Sequence, residues 1–164
     1  MKRFSILLSL ALAALTLLAV GTPAHAGERP IHAEGRGNLR AIEFYTPLLA
    51  GPGKSQHLGG CYLFIFLNYA EVFWYGNIVP TELVLGASNG DNLFATVDSE
   101  FDPETGIVAG TITFAGGTGR FADATGSASL LIVPDTYWFV DVEGYPYPVH
   151  GTRFSWALEG TIDY

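Results

Sequence analysis

The chain of 164 residues has one cysteine, one methionine and few cations, and beyond its first 26 residues no stretch repeats its apolar residues with a helical period. Each shortage removes a class of explanation. A lone Cys61 excludes an intramolecular disulfide, so stability must come from packing. Of the 8 basic residues, Lys2 and Arg3 fall in the first 26; the six that follow stand against all 16 acidic ones, a net charge of −10 with histidine neutral. That balance argues against nucleic acid or anionic lipid as partner, since both require clustered Lys and Arg. The missing 3.6-residue period argues against a helical domain. His32, His57 and His150 have no metal-ligand spacing with one another or with Cys61, so neither a metal nor another cofactor is expected.

What is present begins with an export pattern. Lys2 and Arg3 precede an apolar run from Phe4 to Val20, and Ala24-His25-Ala26 offers the small residues that signal peptidase accepts. The pattern predicts a signal peptide over residues 1–26, cleaved before Gly27, and a single domain over 27–164. The apolar run is shorter than the roughly 20 residues of a bilayer span. No cysteine stands at the junction to carry a lipid, and one Lys-Arg pair is not a twin-arginine signal. The expected product is periplasmic or extracellular, without stable membrane insertion.

Short β-branched and aromatic runs separated by Gly, Pro, Asn and Asp fill the rest of the chain. They predict strands over 39–45, 61–69, 71–75, 82–87, 92–101, 107–114, 127–133, 137–142 and 154–164. In the last, Phe154, Trp156, Leu158, Ile162 and Tyr164 share one parity, and Gly160 marks a bulge or a close backbone approach. Asn89-Gly90-Asp91 predicts a hairpin. Residues 46–60, with Pro47, Gly51, Pro52 and Gly53, and residues 144–148, with alternating proline, are expected to be loops. The fold class is therefore all-β: a small antiparallel barrel or sandwich, with connections too short for helical crossovers.

Gly116-Gly117-Thr118-Gly119-Arg120-Phe121, followed by Ala124-Thr125-Gly126 and a strand, is the most specific stretch. It resembles the glycine-rich turn of plant dirigent proteins and of allene oxide cyclases, both eight-stranded antiparallel barrels. It is also similar to small exported bacterial proteins of unassigned function whose last strand ends as Glu159-Gly160-Thr161-Ile162-Asp163-Tyr164 does here. The resemblance implies an antiparallel barrel of eight to nine strands. Gly116, Gly117, Gly119, Arg120, Phe121 and Gly126 then form a structural turn, with Arg120 satisfying loop carbonyls and Phe121 plugging a barrel end. A phosphate cradle would need a helix directly afterwards, and a strand follows instead. Dirigent proteins guide radical coupling and allene oxide cyclases close a fatty-acid ring; only the turn is shared, so no catalytic residue carries over.

Other candidates have plainer readings. Cys61 opens an apolar run and reads as core. Asp98, Glu100 and Asp102 share a strand parity near Glu104, without the spacing of a calcium loop, and read as a solvated face. His57 and His150 lie in the two loop-rich stretches, where they read as surface histidines. The triplets Phe73-Trp74-Tyr75 and Tyr137-Trp138-Phe139 must send rings to both faces of a sheet, which leaves partial burial, ligand contact or a homo-oligomer interface open. The expected function is an exported non-catalytic barrel that binds a small apolar ligand or acts through its surface. Its rivals are a cyclase- or isomerase-type enzyme acting inside the barrel and an envelope interaction protein.

Overall fold

The computed structural model describes residues 27–42, 46–149 and 151–164. The signal-peptide segment 1–26 and His150 lie outside the described residues. Among the described residues ten strands form: β1 Arg29–Ile42, β2 Thr46–Ser55, β3 Gly59–Leu67, β4 Pro80–Ala87, β5 Asn92–Phe101, β6 Val108–Gly117, β7 Thr125–Pro134, β8 Phe139–Val142, β9 Tyr145–Pro148 and β10 Arg153–Asp163. Eight of them close a barrel in the order β1-β10-β7-β6-β5-β4-β3-β2, every described pairing antiparallel, while β8 and β9 make a separate two-stranded ribbon. Closure comes from the pairing of β1 with β10, Arg29 opposite Ile162 and Asn38 opposite Arg153. Closing the sheet leaves no barrel strand with an open edge.

Strict alternation explains the core. Leu63 and Ile65 of β3, Leu83 and Leu85 of β4, Leu130 and Ile132 of β7, and Phe154, Trp156 and Leu158 of β10 are buried, and the positions between them are partly or fully exposed. These inward side chains form one continuous core inside the barrel, whose eight strands enclose a space that side chains can fill. Among the described residues no helix is long and apolar enough to cross a membrane.

Three stretches expected otherwise need correction, 46–60, 137–148 and 71–75. Residues 46–60 are not a loop: Thr46–Ser55 is a full barrel strand between β1 and β3. Its Pro52 sits where the β1 ladder is interrupted between the Gly35–Gly53 and Asn38–Ala50 pairs, one of the places a sheet tolerates proline. Residues 145–148 pair with 139–142, because a two-stranded ribbon has outer edges where the missing N–H of Pro146 and Pro148 costs nothing. Residues 137–142 thus supply a ribbon strand, not a barrel strand.

The third correction concerns residues 71–75, a five-residue π-helical turn and no strand. Asn68 Oδ1 accepts from the amides of Ala70 and Glu71, Asn77 Nδ2 donates to Glu71, and Gly76, at φ 69°, ends the turn. β1 also begins ten residues before its expected start, and β3 ends at Leu67. Of the two readings of Gly160 the close backbone approach holds: it lies in continuous register with Ile31 and Ala128, without a bulge, and a Cβ there would strike the Ser127 carbonyl.

Candidate functional site

Two successive outward positions of β10 are small. Ser155 and Ala157 stand between Val133 and Leu131 of β7 on one side and Arg36 and Glu34 of β1 on the other, as the two registers dictate. Small residues flanked by large ones make a trough along the barrel wall, about 690 Å³ in volume. One bank is apolar: Leu131 is 44% exposed, and Val133 is partly so. The other bank carries Arg36, Lys54 and Glu34, all exposed, with Lys54 of β2 directly across from Glu34.

Trp156 also lines this trough although it points inward and is 2% exposed. Gly35 and Gly53 are the reason. A Cβ on either would collide with the indole, so the paired strands carry no side chain there. The buried Trp156 Nε1–H has no hydrogen-bond partner among the described residues. The buried Ser55 hydroxyl, two residues beyond Gly53, is likewise unpartnered among them. Unsatisfied buried polar groups are uncommon, and each calls for an explanation.

A second groove of about 310 Å³ continues past Arg36 and Pro52, which border both. Arg40, Arg153, Asp135 and Tyr62 line it. The two grooves therefore run together along β1 and β10 on the outside of the barrel.

The glycine-rich turn lies at the far end. Gly119–Phe121 forms a 3₁₀ turn; Gly116 and Gly126 have φ of 81° and 120°, and Gly117 packs so closely on β5 that a Cβ would meet the Asn92 carbonyl. Gly119, at φ 56°, lies against the Asp91 carboxylate, which accepts from the Arg120 amide at 3.3 Å. Arg120 donates from its guanidinium to the His57 carbonyl at 3.1 Å and lies 4.7 Å over the Phe121 ring. Phe121 is fully buried and meets Tyr164 edge-on at 4.8 Å. Arg29, too, stacks over Tyr164. Arg120 and Phe121 thus tie the turn to Asp91, to the His57 carbonyl and to Tyr164 at the end of the last strand, which is the arrangement of a clasp.

The remaining candidates do not assemble. His32 pairs with Glu159 at 3.2 Å in solvent. His57 stands at the clasp end, where its carbonyl accepts from Arg120, and His150 lies outside the described residues. Asp98 and Glu100 are exposed, and Asp102 accepts from the Thr105 hydroxyl and the Glu104 amide, which hold its carboxyl below the usual range. Among the described residues no three of His, Cys, Asp and Glu gather as metal ligands. Trp138 is buried and donates to the Gly106 carbonyl, while Trp74 and Tyr75, in the π-helical turn, are 64% and 69% exposed. Sequence reasoning missed the trough because it is built from residues on four strands, none of which forms a motif. Comparison of the chain with protein-family models, with curated proteins and with solved structures finds no match.

Proposed function

We propose that this chain is an exported, non-catalytic barrel that binds a small, largely apolar ligand, and that the ligand lies in the outer trough over β10. The trough itself carries the reading: an apolar bank of Leu131 and Val133 faces a polar one across a floor of small residues, with an indole behind it. Pockets for small molecules are of this size and of this mixture, apolar walls with a few polar groups that fix orientation. The interior is occupied by the protein's own side chains, so the space for a ligand is on the wall. The Gly116–Phe121 turn supports kinship with the dirigent and allene oxide cyclase barrels, with which the eight-stranded closed sheet is compatible. Export rests on the pattern of residues 1–26.

The test is a titration with octyl glucoside below its micelle concentration, followed by amide chemical shifts. Saturable shifts confined to Leu131, Val133, Ala157 and their neighbours, and abolished by Leu131→Asp, are the expected result. Shifts centred on inward residues such as Leu85 would move the site inside the barrel, and chemical turnover of a bound compound would replace binding by catalysis.

A further inference from the structure

Four of the six basic residues that follow residue 26 stand along the two confluent grooves: Arg36 and Lys54 on the first, Arg36, Arg40 and Arg153 on the second. The other two, Arg29 and Arg120, are committed to the clasp over Tyr164. In a chain so acidic, chance would scatter its few cations among carboxylates. Here none of the four has an ion-pair partner among the described residues, although Glu34 and Asp135 border the same grooves and Glu34 stands opposite Lys54. Like charges along one track repel one another, and an anion bound among them relieves that repulsion. The apolar bank of Leu131 and Val133 lies across from Arg36, close enough for one small molecule to touch both.

Resting on the proposed groove binding, we infer that the ligand is an anionic amphiphile: an apolar body along Leu131, Val133 and Ala157 and a single negative head held by Arg36 and Lys54, with Arg40 and Arg153 extending the positive track. Arg36 supplies a planar fork suited to an oxyanion, and Lys54 a mobile point charge.

Three probes with one tail separate the terms: octyl sulfate, octyl glucoside and octyltrimethylammonium, each below its micelle concentration, with inorganic sulfate as a fourth. The expected order is octyl sulfate first, roughly tenfold or more tighter than octyl glucoside, with the cationic probe weakest and the preference shrinking as salt rises. Arg36→Gln with Lys54→Gln should erase that preference, octyl sulfate binding the variant no more tightly than octyl glucoside does, while the melting temperature stays unchanged, since both side chains are exposed. Glu34→Gln should tighten octyl sulfate about twofold by removing the competing carboxylate. Equal affinity for all three octyl probes would overturn the anionic head and leave groove binding standing. Binding of inorganic sulfate as tight as octyl sulfate would overturn the amphiphile, and no binding of any octyl probe would overturn this inference together with the groove.

Discussion

Cys61 is 7% exposed at the start of β3, and burial pushes its thiol up to about 11. The native state therefore keeps the proton that the unfolded chain releases above roughly 8.5. A raised pKa means that the thiol's contribution to stability is complete below the unfolded value and is lost as the pH climbs toward about 11. The thiolate is the reactive form, so the native protein at pH 8 should resist iodoacetamide, whereas in guanidinium chloride one adduct should form; intact mass reads both. An adduct on the native protein at a rate near that of free cysteine would show that Cys61 is not core. This much was legible in the residues around it, since an apolar run surrounds the thiol. The partners of Arg120 were not, because the carbonyl it reaches belongs to His57, 63 positions away, and only folding brings the two together.

Among the elements, strands with clean alternation were readable and those with special backbone needs were not. β5 and β10 show their parity in the sequence. β2 does not, because Gly51 and Gly53 take inward positions that elsewhere hold large apolar residues, and they read as loop. Their smallness is a packing requirement: a Cβ on Gly53 would come within 2.8 Å of the Trp156 Cη2 atom and strike other ring atoms and the Glu34 carbonyl. Gly53→Ala should thus force the indole or the β1 backbone aside, at a cost of roughly 1–3 kcal/mol for overpacking. Gly60→Ala, where nothing lies within 4 Å, is the matched control and should melt with the wild type. Equal melting temperatures for both variants would mean that Trp156 does not fill the space between β1 and β2. The π-helical turn was misread for a different reason: Val72, Phe73, Trp74 and Tyr75 have strand propensity, but the Asn68 side chain captures two successive amides and starts a turn instead.

For the whole molecule, barrel closure depends on one pairing between distant parts of the chain. β10 joins β1 on one side and β7 on the other, so it supplies both the last seam of the barrel and the floor of the trough. Strand count and turn spacing left a barrel or a sandwich, and the resemblance of the Gly116–Phe121 turn pointed to the barrel that forms; the trough was not readable, since Ser155 meets Arg36 only through the β1–β10 register. Deleting residues 154–164 removes Phe154, Trp156, Leu158 and Ile162 from the core, each worth roughly 1.5–3 kcal/mol, which together rival the roughly 5–15 kcal/mol net stability of a whole domain. It also strips β1 and β7 of a neighbour and leaves two edges that invite aggregation. The truncated chain should therefore lose its cooperative thermal transition by circular dichroism and collect in the insoluble fraction. A soluble truncation with a sharp melt would show that seven strands can close without β10, and that the seam between β1 and β10 is not what holds the barrel shut.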